Sequence, residues 1–151
     1  MTRFIGKSAV LAMALGLGLG LGLVPVMAGA QSADAPDKPI AVMLDLYSGD
    51  KLSQGFSEAL TAAISGDGRF EVVKTLPPDG MKIAMKDALL PQNTDTQNIA
   101  AYDVILTLAN GKFIDETQGF CDVAKLPMCG RVVAQDSFDD YQAYMAHHKP
   151  R

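Results

Sequence analysis

The sequence predicts an α/β fold: a small two-layer α/β sandwich with a mixed sheet, in the order β-α-β-(short helices)-β-β-β-α. Three observations carry this. An apolar run at residues 39–47, a helix-periodic segment and a second apolar run follow one another at the spacing of a βαβ unit. Residues 102–108 (YDVILTL) form a further strand-like run. The chain then closes on a segment that returns to helical periodicity.

Taken in order, residues 1–30 read as a signal peptide. Arg3 and Lys7 give a positive start, residues 8–27 carry no charge, and Ala28-Gly29-Ala30 offers small residues for cleavage after Ala30. The alternating Leu-Gly run suits a permanent membrane helix poorly, because each Gly costs about 0.8–1 kcal/mol relative to Ala. A retained anchor is the alternative, since about 18 apolar residues can span a bilayer. Residues 31–38 are polar with a Pro among them and read as a flexible linker. Residues 39–148 are then a single α/β domain.

Residues 39–47 (PIAVMLDLY) are apolar at both parities from Ile40 to Leu44, the pattern of a strand covered on both faces. Ser48-Gly49-Asp50 is a turn, with Asp50 or Ser48 as helix cap. Over residues 51–65, Leu52, Phe56, Ala59, Leu60, Ala63 and Ile64 make one apolar stripe. Gly66 and Gly68 end that helix. Residues 69–76 are the second strand, with Phe70 and Val72 on one face. Pro77-Pro78-Asp79-Gly80 stops it. Residues 81–90 read as a short helix capped by Asp79, with Met81 and Met85 an i, i+4 pair lining a groove. Residues 93–101 read as another turn or two of helix, capped by Thr94 or Asp95. After the third strand comes the turn signal Asn110-Gly111. Residues 119–123 and 131–135 are expected to form two antiparallel strands. Ser137 starts the last helix, with Asp140 completing a capping box; Phe138, Tyr141, Met145 and His148 share its stripe.

With 17 acidic and 13 basic residues the formal charge is −4, and cleavage after Ala30 removes Arg3 and Lys7 and makes it −6. An acidic chain without a basic cluster argues against nucleic-acid binding. The exported chain has no stable membrane span after signal cleavage. Cys121 and Cys129 are its two cysteines. Two cysteines in an exported chain pair, and Pro127 between them favours a turn. Their spacing is not that of a Cys-x-x-Cys redox pair, and no further Cys completes a zinc site.

The stretches IAVMLDLYSGD, LTAAISGDGRFEVV and NIAAYDVILTLANGKF, within residues 40–113, are similar to small bacterial envelope α/β domains. Those are the amino-terminal domain of TolB and the core of CsgG-like proteins. The chain departs from them at Leu108-Ala109, where a Gly commonly follows the third strand, and in its carboxyl-terminal cysteine pair. The resemblance implies a non-enzymatic role built on protein contacts.

Asp45 lies at a strand end, where α/β enzymes place their chemistry. Residues 42–47 resemble the strand that carries the nucleophilic Asp of haloacid-dehalogenase phosphatases, and Asp139-Asp140 would then supply a metal-binding pair. That family has a second acid two residues later, as proton donor, where this chain has Tyr47. His147 and His148, with Met145 or a carboxylate, offer a weak copper or zinc site; as helix-terminal residues they complement the dipole instead. No Gly-x-Ser-x-Gly elbow and no phosphate-binding loop occur. The resulting expectation is a secreted or periplasmic accessory protein, non-enzymatic and without cofactor or metal. It binds another envelope protein through an edge strand or through residues 81–90. The alternatives are a small periplasmic hydrolase using Asp45 and a weak metal-binding protein. Amino-terminal sequencing of protein recovered from the envelope is expected to read from Gln31; a chain that keeps residues 1–30 makes them an anchor.

Overall fold

The computed structural model describes residues 38–93 and 98–148. The signal peptide, all of the linker but Lys38, and the proposed caps Thr94 and Asp95 lie outside the described residues. The elements are β1 (Ile40–Leu46), α1 (Lys51–Gly66), β2 (Phe70–Val72), β3 (Met81–Met85), β4 (Leu90–Asn93), β5 (Asn98–Leu108), β6 (Phe113–Asp122) and α2 (Leu126–His147). A single turn of 3-10 helix, Val123–Lys125, leads into α2. Six strands form one mixed sheet, and two helices pack on it.

β2 and β3 both run parallel to β1, on its two sides, with Val42 opposite Val72 and Met81. β3 then pairs antiparallel with β5, Ile83 facing Leu106. β6 follows one side of β5 from Ile99 to Thr107. β3 and β4 therefore share the other side of β5 end to end, at residues 105–108 and 98–101 respectively. Gly111, at φ +80°, makes the β5–β6 turn, a conformation that favours glycine.

The register sends Val42, Met81, Ile83, Met85, Ala100, Val104, Leu106 and Cys121 to one face. There they meet Phe56, Leu60 and Ile64 of α1 and Val133, Ala134 and Tyr141 of α2 in a single core. Both helices occupy this face. Ala41, Met43, Asp45, Ala101, Asp103 and Ile105 point the other way, and no described element covers them. The expectation that β1 is covered on both faces is thus corrected: its second apolar parity lines an open sheet surface.

Four local readings are also corrected. Residues 81–85 form a strand, not a helix. Met81, Ile83 and Met85 satisfy period two as well as the i, i+4 spacing, and pairing with β1 and β5 satisfies the backbone on both sides. The two Met are buried, so they line no groove. Residues 98–101 begin β5 instead of forming a helical turn. Residues 131–135 and Ser137 belong to the interior of α2, where Val133, Ser137, Tyr141 and Met145 recur every fourth residue; only 119–122 of the two predicted strands is strand, as the end of β6. Strand β2 ends at Val72, which is exposed.

Local chemistry fixes the helices. Asp50, in extended conformation, caps α1 by accepting from the amides of Leu52 and Ser53 at 3.0 and 2.9 Å. The buried Ser53 hydroxyl donates to Asp50 at 2.7 Å and accepts from the Leu89 amide at 3.0 Å, tying α1 to the β3–β4 connection. Ser57 donates to the Tyr47 carbonyl at 2.7 Å. Past Gly66 the chain turns on Asp67, whose carboxylate binds the Arg69 amide and guanidinium; neither Gly66 nor Gly68 is left-handed. Gly130 of α2 lies against the backbone of Ala59 in α1, where a Cβ would sit 2.7 Å from the carbonyl oxygen. The disulfide Cys121–Cys129 joins the end of β6 to the first turn of α2, with Cα atoms 5.9 Å apart. It spans the 3-10 turn and not a hairpin. The Tyr141 hydroxyl donates to the Asp79 carbonyl at 2.6 Å and anchors α2 to the turn before β3.

Phe56 and Leu60 are fully buried. Truncating either to Ala is expected to cost about 2–5 kcal/mol in urea melts, whereas Asp45→Asn, at an exposed ion pair, should cost less than about 1 kcal/mol. Ser53→Ala strands a buried amide and should cost about 1–3 kcal/mol; Ser137, whose buried hydroxyl has no hydrogen-bond partner among the described residues, should tolerate Ala without loss.

Candidate binding surface

The open face is where the fold leaves apolar area in contact with water. Period two decides which side chains reach it. Cys121 is held in the core by its disulfide, so Phe120 must point outward. Phe120 stands opposite Ala101 on β5, and Ala101 stands opposite Leu90 on β4. Leu90 and Phe120 are 62% and 71% exposed, far more than large apolar side chains in a core. Between them lies a depression of about 760 Å³, with Leu90, Ala101 and Phe120 as apolar wall and Asp87, Asp103 and Gln118 at its rim.

β6 bounds this depression. It is ten residues long and has one strand partner, β5, among the described residues. Its other side is a free edge among the described residues. Carboxylates flank that edge on both faces of the sheet. On the open face, the Gln118 amide donates to Glu116 and, at 3.4 Å, to Asp103. Burial pushes the Asp103 carboxyl above its ordinary range, and the neighbouring charges of Glu116 and Asp87 add to the effect. On the helix face, a groove of about 300 Å³ between β6 and α2 is lined by Asp115, Thr117, Asp136, Asp139 and Asp140. Asp140 is likewise pushed up, by burial first and then by Asp115, Asp136 and Asp139. None of these acids forms an ion pair within 4.0 Å among the described residues. Asp139 is linked to Arg69 by hydrogen bonds through Gln135, and its charge also acts on the Arg69 guanidinium. The Tyr102 hydroxyl is raised as well, by burial and by Asp136, while its ring stacks on Phe56 at 5.2 Å.

A third depression, of about 690 Å³, lies where the end of α1 meets α2, lined by Ala59, Ala63, Arg69, Arg131 and Ala134. Its polar groups are already engaged in part, since Arg69 is paired with Asp67 at 2.6 Å and lies over the Phe138 ring.

The structure separates the residues that the sequence offered for chemistry. Asp45 sits on the open face of β1, exposed and paired with Lys82 at 2.5 Å. Asp139 and Asp140 are on α2, which covers the opposite face, so they do not join Asp45. His147 and His148 end α2 at the surface. The His148 ring stacks on Tyr144 at 4.1 Å, and its Nδ1 lies 2.9 Å from the Tyr144 carbonyl oxygen. Among the described residues no group of three His, Cys, Asp or Glu side chains is arranged to hold a metal ion.

An acid whose folded-state pKa is raised costs stability while ionised. That cost is fully present above the folded pKa and is lost as the pH falls through the unfolded one. Asp103→Asn and Asp140→Asn are each expected to raise Tm slightly at pH 7 and to lose the advantage near pH 3. An equal gain at both pH values would show that charge is not the cause.

No protein-family model matches the chain, and no curated protein matches it in sequence. Solved structures to which it is similar include PelC from Paraburkholderia phytofirmans, a dodecamer. In one crystal form, of a PelC variant, identity is 11%, coverage 70% of this chain and 86% of that one, and the TM-score 0.42; in another the values are 10%, 70%, 87% and 0.40. A minor lipoprotein from Acinetobacter baumannii is similar at 9% identity over 71% of this chain and 94% of that one, with a TM-score of 0.41.

Proposed function

We propose that the protein is a secreted or periplasmic accessory protein that acts as a non-enzymatic binding module for another envelope protein. Its contact is the free edge of β6 together with the depression beside Phe120. The observation that carries this reading is the edge itself: ten residues of backbone with one strand partner, next to exposed apolar side chains. An unpaired edge supplies a ladder of donors and acceptors for an added strand, and alternating side chains supply selectivity. The signal-like residues 1–30 and the Cys121–Cys129 disulfide support an oxidising compartment outside the cytoplasm. The similarity of residues 40–113 to TolB amino-terminal and CsgG-like domains supports a role through contacts. Residues 81–85 drop out as the contact, because they are buried between β1 and β5.

Photo-crosslinkers at Gln118 and Phe120, introduced in the native host, test the reading. Both positions are expected to give an adduct with the same envelope protein, one that Phe120→Asp abolishes when the crosslinker is at Gln118. A crosslinker at the exposed Gln54 of α1 should not give that adduct. Adducts from Gln54 alone, or none from β6, would remove the edge from consideration.

A further inference from the structure

We infer that the partner docks on β6 as a basic extended segment carrying one apolar anchor, an inference that rests on the edge reading above. Such a segment complements β6 in three respects: its free backbone edge, the carboxylates on both of its faces and the exposed apolar side chain at one end. A strand added to β6 lies about 4.8 Å away and sends alternate side chains to the two faces of the sheet. On the open face it passes Glu116, Gln118 and Phe120, with Asp103 directly across from Gln118. On the helix face it passes Asp115 and Thr117, beside the groove that Asp136, Asp139 and Asp140 line. Lysine or arginine at either parity of the incoming strand therefore meets carboxylates that form no ion pair within 4.0 Å among the described residues. Burial and the charges of neighbouring carboxylates push the Asp103 and Asp140 carboxyls up, and an incoming cation offsets the charge repulsion.

The apolar anchor is set by spacing. The Phe120 end of the edge opens on the depression walled by Leu90 and Ala101. Glu116 stands four residues earlier on the same face, about 13 Å away along a strand. A complementary segment therefore carries its apolar side chain and a basic one four residues apart, in whichever direction it runs. Two other occupants fit less well. A second copy of this chain would bring the same carboxylates to the edge. The chain's own residues 31–37 include Asp34 and Asp37 and no base.

The test uses the purified protein and a fluorescent peptide of the length of β6, ten residues. The peptide alternates Lys and Thr and has Leu four positions from one Lys. Its controls are the same peptide with Glu for Lys and one with alternate backbone amides methylated. The basic peptide should bind saturably and weaken as salt shortens the Debye length from about 10 Å to 3 Å. The Glu and the methylated peptides should not bind. Asp103→Asn combined with Glu116→Gln should weaken binding by about tenfold, the loss expected when close charge pairs are removed; Phe120→Asp should weaken it separately. Circular dichroism and urea melts confirm that these surface variants fold. Equal binding of the Lys and Glu peptides overturns the inferred chemistry but leaves the crosslinking result, and so the edge reading, standing. Binding that ignores both backbone methylation and Phe120→Asp is diffuse charge attraction and overturns the inference. A dimer in sedimentation that excludes the peptide assigns the edge to a second copy and overturns it as well.

Discussion

The arrangement depends on how closely α2 approaches α1. At Gly130 the backbone of α2 rests against Ala59 and Leu60 of α1, leaving no space for a side chain. This contact lets both helices lie side by side on one face of the sheet. With them there, the core closes in two layers, around Phe56, Leu60 and Ile64 on one helix and Val133, Ala134 and Tyr141 on the other. Helices on the two faces would have made a three-layer fold. Among the described residues two layers leave one sheet face without a cover, and that face carries the proposed binding surface. A larger residue at Gly130 would force the two helices apart, and α2 also supplies Asp136, Asp139 and Asp140 to the acidic groove beside β6.

What could be read in the sequence was local. Asp50 as a helix cap, the stripe Phe56-Leu60-Ile64, the Asn110-Gly111 turn and the α/β class all follow from residues near one another. The elements that misled are those whose partners lie far away. Residues 81–85 fit period two and the i, i+4 pattern alike. Only β1, about forty residues earlier, and β5, about twenty later, decide between them. Val132, Val133 and Ala134 have strand-like composition, yet the i, i+4 series from Val133 to Met145 rules. Ser137 has the identity of a cap and the burial of a core residue, and identity alone misplaces it. No residue of the proposed binding surface was assigned to it from sequence, although Phe120 was open to derivation: once Cys121 is placed inside, alternation puts Phe120 outside. Leu90 and Asp103 were not, because their roles exist only when β4, β5 and β6 are brought together.

A free edge carries a hazard of its own, since an exposed ladder of amides and carbonyls invites pairing with any extended chain. Carboxylates along β6 discourage copies of this acidic protein from joining edge to edge. The same charges leave the edge open to a segment of opposite sign. Protection against self-association and selection of a partner are thus one arrangement of side chains. The disulfide adds rigidity where it matters, fixing the end of β6 to α2 so that a strand can be added there without displacing the helix.

The position of α2 at the carboxyl end also bears on how the molecule comes to be folded. Its residues close the core, and their disulfide partner, Cys121, lies at the end of the last strand. A chain that emerges amino-terminal end first presents the apolar stripe of α1 and the strands β1 to β5 before anything can cover them fully. Early association of β1, α1 and β2 stays incomplete, because β3 must still enter beside β1 and β5 beside β3. With α2 undocked that core stays open on one side, and the docking that closes it also sets Cys129 beside Cys121. α2 is therefore the latch of the core as well as one of its walls.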